Sequence, residues 1–206
     1  MSHLSILKDA YDAGYNTIWV MEDNIQVVRD PRVVPGLVDK LDATVGKNGW
    51  DILFTDPDTK GSDGKYVICR SFAHSPDFEP ANPERFLIDK KISPDFKRTG
   101  ARYGGYSMIV RRSGMKKILD LMQKHQGFLP YDMEYTLPDD IRLYSLNYDV
   151  IATVPKIASD NGAPTYLGTA SPHKELRPTL KDYWDDYRAR VSSKMHYAVA
   201  RLRGLA

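Results

Sequence analysis

The stretch TIWVMEDN, residues 17–24, decides the fold. Its first five residues are apolar or β-branched, which predicts a buried strand, and the strand runs directly into Glu22, Asp23 and Asn24. In open α/β sheets, ligands bind in the crevice outside the carboxyl ends of the strands. We therefore expect the residues after this strand to border a functional site.

Helices and strands alternate outward from this strand. Apolar residues at three- and four-residue steps predict helices over 3–13, 33–45 and 113–125, and Pro138 begins a short helix over 138–146. Short β-rich runs predict further strands over 51–54, 66–70, 106–110 and 150–154. Residues 71–102 hold four prolines and no clear period, which is typical of a long binding loop or lid. This order favours an α/β fold with a mostly parallel sheet and flanking helices.

Composition bounds the class of protein. Hydrophobic residues make up 42% of the chain and charged residues 27%, which is typical of a globular protein. A net charge of +2 gives no basic field for nucleic acid, and the single cysteine, Cys69, cannot form an internal disulfide. The sequence has no apolar run of about 20 residues and begins without a signal-peptide pattern, so we expect a cytoplasmic protein.

Glu22, Asp23 and Asn24 form the strongest local signal. Side chains alternate along an extended chain, so Glu22 and Asn24 should share one face, with Asp23 on the other. Carboxylate and amide oxygens suit a hard cation such as Mg²⁺ or Mn²⁺. The alternative is an acidic turn that binds no metal.

Two further acidic segments are candidates. Asp56 and Asp58 form a D-x-D pattern after the second buried strand, but Asp and Pro are also common turn residues. Asp132 and Glu134 follow the third helix, and a carboxylate there is suited to act as a general base toward a sugar hydroxyl. A solvated loop is the alternative for this segment.

Two of the five histidines stand out, His3 and His173. His173 lies in a Ser-Pro-His-Lys segment from which it could close over a metal or a phosphate, although a loop histidine is more often simply exposed. The sequence contains no HExxH, CxxC, GxSxG or P-loop motif.

Several of these motifs together resemble glycosyltransferase family 25. The segments are SHLS at 2–5, IWVMEDN at 18–24, WDILF at 50–54, GGYSMIVRRSGMKKIL at 104–119 and the pair Tyr131-Asp132. Their order and spacing are similar to that family from Ser2 to about Val154. The family includes bacterial lipopolysaccharide glycosyltransferases and relatives of collagen galactosyltransferase.

The resemblance implies a GT-A fold, a UDP-sugar donor, a divalent metal (Mn²⁺ or Mg²⁺) and inversion at the anomeric carbon. Residues 22–24 fall on the family's metal-binding Glu-Asp-Asp, so Glu22, Asp23 and Asn24 are the implied ligands, with the neutral Asn24 in place of an acid. Residues 104–106, which are Gly104, Gly105 and Tyr106, fall on the small-residue strand entry at the acceptor side, and they are the implied cofactor-binding residues. Asp132 falls on the aspartate that we assign as the base.

The resemblance also predicts the domain organisation and the function. In this fold the first strand–helix–strand unit binds uridine, and it would precede Ser2, so we expect a partial domain over 1–179 that lacks this unit. The expected activity is transfer of a hexose from a UDP-sugar to a glycan or lipid-linked glycan acceptor of the lipopolysaccharide type. The alternative is a non-catalytic remnant of such a transferase that acts as a glycan-binding or interaction module.

A basic amphipathic helix is predicted over 180–206. Its apolar residues form one stripe, its acids come early, and its basic residues come late. Packing of this stripe on the domain is one interpretation. The other is peripheral contact of 180–203 with the anionic inner membrane, where a lipid-linked acceptor would be found.

Overall fold

The computed structural model describes residues 3–60, 64–67, 69, 72, 77–125 and 131–153. Its helices are α1 His3–Asp12, α2 Val34–Val45, α3 Arg112–His125 and the single turn α4 Tyr131–Glu134. Its strands are β1 Thr17–Met21, β2 Ile25–Val27, β3 Ile52–Phe54, β4 Asp89–Lys91, β5 Phe96–Thr99, β6 Ser107–Arg111, β7 Leu143–Leu146 and β8 Ile151–Thr153. Two 3₁₀ turns lie at Pro31–Val33 and Pro83–Leu87.

Six strands form one sheet in the order β1-β6-β3-β7-β5-β4, and β2 pairs with β8 in a separate antiparallel ribbon. Strand β6 runs antiparallel to both of its neighbours, whereas β3 and β7 are parallel. The α/β class is therefore confirmed, but the sheet is mixed rather than mostly parallel. The physical reason is that an apolar run such as that of β6 shows burial and not the direction of the strand.

Helices cover both faces of the sheet. Ile52 and Phe54 of β3 pack with side chains of α1 and α3, and Leu53 packs with side chains of α2. Because successive side chains of a strand point to opposite faces, α1 and α3 lie on one face and α2 lies on the other. Each of these three side chains is at most 1% exposed, and burying one contributes roughly 1.5–3 kcal/mol.

The three long helices agree with the sequence prediction to within one residue at each end. Helix α3 buries Met115 and Ile118, as its apolar spacing predicts. Helix α1 ends before Gly14, whose φ of 81° lies in the left-handed region that favours glycine.

The structure differs from the sequence prediction in three regions. Residues 71–102 contain β4 and β5, and residues 143–146, predicted as the end of a helix, form β7. Within the predicted strand 66–70, the described residues show a single bridge between Lys60 and Tyr66. Strands β5 and β7 pair with each other across a long sequence separation, and β4 forms a hairpin with β5, so local apolar periodicity did not reveal them.

Other predictions concern the C-terminal part of the chain. The domain boundary at 179, the helix over 180–206 and His173 lie outside the described residues. Among the helices that the structure describes, none is both long and apolar enough to cross a lipid bilayer.

Candidate functional site

The strand directions bring several predicted residues to one edge of the sheet. Strands β1 and β3 are both antiparallel to β6 and so run in the same direction. Glu22 follows the end of β1 and Tyr106 precedes the start of β6, so both lie at this edge. The backbone N–H of Glu22 donates to the carbonyl oxygen of Tyr106 at 2.8 Å. We refer to this as the carboxyl edge.

His3 joins the site at the start of α1. Its Nε2 lies 3.0 Å from Oε1 of Glu22. Its ring stacks on Tyr131 with 4.8 Å between the ring centroids and 5° between the planes. The side chains of His3 and Glu22 are 20% and 29% exposed, which leaves both within reach of solvent.

Asp132, the predicted base, is partly buried and sits beside these groups. Burial raises the pKa of Asp132, the charge of Glu22 raises it further, and His3 acts in the opposite direction. Two carboxylates that influence each other in this way lie in one local electrostatic environment. Glu134, the other acid of this segment, is only 3% exposed. The structure therefore brings Asp132 to the site and buries Glu134.

The glycine pair shapes the backbone beside Glu22. Gly104 has a φ of 70°, and a Cβ there would overlap the ring of Tyr106. A Cβ on Gly105 would lie 3.0 Å from the methyl carbon of Met108. The hydroxyl of Tyr135 donates to the carbonyl oxygen of Gly104 at 3.0 Å. This tight turn is adjacent to Glu22. The implied cofactor-binding role of residues 104–106 stays a prediction.

The predicted metal ligands are not equivalent. Glu22 and Asn24 are partly buried while Asp23 is exposed, which agrees with the expected alternation of faces. Oδ1 of Asn24 is buried and has no hydrogen-bond partner among the described residues. A buried oxygen without a donor is costly to maintain, and a bound cation would satisfy it. The described residues contain no cluster of three or more His, Cys, Asp or Glu side chains arranged for a metal ion.

Glu22 and Asn24 nevertheless fit Mg²⁺ or Mn²⁺ as a partial coordination shell. Mg²⁺ is usually held by one or two carboxylates, with substrate phosphates and water completing its six ligands. Glu22 offers a carboxylate and Asn24 offers the buried oxygen. Asp23 is exposed in this structure, so the fit is better for two of the three predicted ligands than for all three.

The second acidic motif, after β3, has a different environment. Asp56 and Asp58 are 2% and 5% exposed, and Oδ1 of Asp56 lies 2.7 Å from Nη2 of Arg102. This contact is a close ion pair without hydrogen-bond alignment. The Arg102 guanidinium also lies over the Phe54 ring, 4.2 Å from its centroid. A resident arginine therefore supplies the positive charge at this D-x-D pattern.

Burial dominates the proton affinities in this buried acid–arginine cluster. It raises the pKa of Asp58 to about 6, and it raises that of Asp56 as well, with Arg102 opposing both shifts. Burial works to lower the pKa of Arg102, but the charges of Asp56 and Asp58 outweigh it. One guanidinium balances one carboxylate, and Asp56 is the one paired with it. Asp58 is therefore the group expected to take up a proton.

Sequence reasoning missed two features of this edge. His3 stands out in the sequence, but its hydrogen bond to Glu22 and its stacking on Tyr131 come from the packing of α1. Arg102 gave no signal, because an arginine in a loop pairs with an acid only after the chain has folded. A histidine at the start of a helix, followed by a strand that ends in Glu, is the one sequence pattern that could have indicated the hydrogen bond between His3 and Glu22.

A cavity of about 380 Å³ lies at the opposite edge of the sheet, near the start of β7. Arg85 and Arg142 line it, but Arg142 is bonded to Asp51 and Arg85 donates to the carbonyl oxygens of Thr136 and Leu137. None of the predicted site residues that the structure describes lines this cavity. The cavity and the carboxyl edge are separate features.

No protein-family model matches the sequence, and no curated protein matches it either. The function proposed below therefore rests on the residues of this chain and on the geometry of the carboxyl edge.

Proposed function

We propose that the chain is a glycosyltransferase domain of the GT-A type, similar to family 25. It transfers a hexose from a UDP-sugar to a glycan or lipid-linked glycan acceptor, with inversion at the anomeric carbon. The observation that carries the proposal is the convergence of His3, Glu22 and Asp132 beside the glycine turn at the carboxyl edge. Such a convergence of titratable groups at strand ends is typical of an active site.

Asp132 is the general base of this proposal. It accepts the proton of the acceptor hydroxyl as that oxygen forms a bond to the anomeric carbon, and the bond from this carbon to the UDP oxygen breaks with its electron pair leaving on UDP. Burial and the charge of Glu22 raise the pKa of Asp132, which makes its carboxylate a stronger proton acceptor.

Glu22 and Asn24 would hold the divalent cation. When bound, Mn²⁺ or Mg²⁺ supplies positive charge to the departing diphosphate. The glycine turn lets the Tyr106 ring and the Met108 side chain pack closely against the backbone beside Glu22, where a Cβ on Gly104 or Gly105 would meet them. The residues of this chain would therefore bind the cation, orient the substrates and accept one proton from the acceptor hydroxyl.

The acceptor class suggests a cytoplasmic location at the inner face of the membrane, with residues 180–203 in contact with anionic lipid. Sedimentation with anionic vesicles at low and high salt tests this part of the proposal. Salt-sensitive binding that disappears on deletion of residues 188–206 would support the membrane contact. A protein that remains in the supernatant at low salt would contradict it.

The activity is tested by measuring UDP release from a panel of UDP-hexoses with Mn²⁺, with and without a glycan acceptor. Asp132→Asn should lower turnover by ~10² or more while the fold is retained, because Asn cannot accept the proton. Asp120→Asn is the matched control, since Asp120 is an exposed acid on α3 paired with Lys116. Equal turnover in Asp132→Asn and the wild type would contradict the assigned base. Glycan binding without any wild-type turnover would favour the non-catalytic module.

A further inference from the structure

We propose that His3 is a positioning residue that holds the Glu22 carboxylate in place at the carboxyl edge. The inference rests on the proposed function, in which Glu22 is a cation ligand, and it assigns a role to a residue outside the implied ligand set. Carboxylates that bind metals are themselves held by hydrogen bonds, and loss of such a partner typically weakens metal binding by about 10- to 100-fold.

The hydrogen bond defines which nitrogen of His3 carries a proton. An ionised carboxylate only accepts hydrogen bonds, so Nε2, which lies 3.0 Å from Oε1 of Glu22, is the donor. Nδ1 is buried and has no hydrogen-bond partner among the described residues. A proton on Nδ1 would therefore place a second donor in a buried position without an acceptor. The geometry therefore places the proton of this hydrogen bond on Nε2.

Aromatic stacking fixes the plane of the His3 ring. The ring lies on Tyr131, and Tyr131 stacks in turn on Tyr135 with 5.4 Å between centroids. Tyr135 is fully buried, and its hydroxyl donates to the carbonyl oxygen of Gly104. The three stacked rings therefore connect the start of α1 to α4 and to the glycine turn.

This arrangement links three parts of the site. The ring of His3 faces Glu22 at the end of β1, and its stacking partner Tyr131 directly precedes Asp132. A carboxylate that is already held by a donor loses less conformational freedom when it binds a cation. His3 thus orients Glu22 without itself being a ligand or a proton acceptor.

Two substitutions separate the hydrogen bond from the stacking. His3→Phe retains a ring against Tyr131 and removes the donor, whereas His3→Gln retains an N–H donor and removes the ring. His125→Phe is the matched control, because His125 also lies near an acid, Asp77, and packs on an aromatic ring, Phe78.

The first measurement is Mn²⁺ affinity, from the free-ion signal in electron paramagnetic resonance. We expect His3→Phe to weaken binding by about tenfold, and we expect His3→Gln to recover most of the loss. His125→Phe should match the wild type. Wild-type affinity in His3→Phe would overturn the inference.

The second measurement is the tautomer of His3, from ¹⁵N spectra of histidine-labelled protein without metal, assigned by the signal that His3→Phe removes. The inference predicts the proton on Nε2, and a proton on Nδ1 alone would overturn it. This result stands independently of metal binding. A wild-type protein that binds no Mn²⁺ would remove the cation from the proposed function, while the tautomer would still decide whether His3 holds Glu22.

Discussion

Two acidic motifs lie at the carboxyl edge, one after β1 and one after β3, and their surroundings differ. The Glu22 side chain is 29% exposed and is bonded to a histidine, whereas the Asp56 side chain is 3% exposed and is paired with Arg102. After β1, Asn24 also keeps a buried oxygen without a partner among the described residues. We call the partly exposed motif after β1 the open motif. We call the motif after β3, which already contains its own counter-charge, the closed motif.

The comparison shows that a D-x-D pattern alone does not define a metal site. The pattern at Asp56 and Asp58 places two carboxylates next to each other, but a buried guanidinium occupies the position that a cation would need. The motif at Glu22 has the same number of acids and a neutral amide, and its buried Asn24 oxygen has no partner among the described residues, whereas the buried Asp56 oxygen lies against a guanidinium. The charge that surrounds a motif therefore decides its role more than the motif does.

The largest expected effect concerns the closed motif. Arg102→Met should lower the free energy of unfolding by about 3–5 kcal/mol, because it removes the guanidinium that is paired with the buried Asp56 carboxylate. Denaturant unfolding measures the change. Arg32→Ala serves as the control and should leave stability almost unchanged, since Arg32 pairs with Asp30 at an exposed position. Equal stability of Arg102→Met and Arg32→Ala would show that the buried pair does not hold this region together.

The next prediction concerns pH. The pKa of Asp58 is about 6 in the folded protein, above its ordinary value of 3.8, so protonation favours folding. Its contribution is complete below pH ~4 and is lost as the pH rises toward ~6. Asp58→Asn should remove this fall, which amounts to at most about 3 kcal/mol.

Unfolding curves recorded from pH 4 to pH 7 test this. Asp120→Asn, which changes an exposed acid, should keep the wild-type pH dependence. Parallel profiles for the wild type and Asp58→Asn would mean that Asp58 is ionised throughout this range, and the closed motif would then carry more negative charge than we assign to it.

The smallest effect concerns the open motif. Asn24→Asp adds a carboxylate beside Glu22, and it should strengthen Mn²⁺ binding by about tenfold, or about 1.4 kcal/mol. In a melting scan with UDP, saturating Mn²⁺ should raise the melting temperature of Asn24→Asp more than that of the wild type, by mass action. An identical metal response in the two proteins would place the Asn24 side chain outside the cation site.

The helices and strands that form the layers could be predicted where apolar residues recur at a regular local spacing. Helices α2 and α3 show apolar spacing that burial in the structure confirms. Strand β1 forms where its apolar run predicts, but only Val20 is buried, because β1 lies at the edge of the sheet. Strand β4 could not be predicted, since its sequence Asp-Lys-Lys is polar and exposed and its structure comes from backbone pairing with β5. Strand β7 is buried at all four positions, but Pro138 and two following acids resemble the start of a helix.

The site was predicted less completely than the fold. The sequence pattern and the family resemblance selected Glu22, Asn24 and Asp132, and the structure brings Glu22 and Asp132 into one electrostatic environment. The pairing of Arg102 with Asp56 joins residues far apart in the chain, so no local pattern carries it. The sequence therefore indicated where acids lie, and folding determined which of them are neutralised.

The central claim is that the motif after β1, and not the motif after β3, is the cation site. A Mn²⁺ titration in the presence of UDP, followed by electron paramagnetic resonance, tests it with the wild type, Glu22→Gln and Asp58→Asn. Glu22→Gln should weaken Mn²⁺ binding by at least about tenfold, and Asp58→Asn should bind as the wild type does. Unchanged binding in Glu22→Gln together with loss of binding in Asp58→Asn would contradict the claim and move the cation to the end of β3.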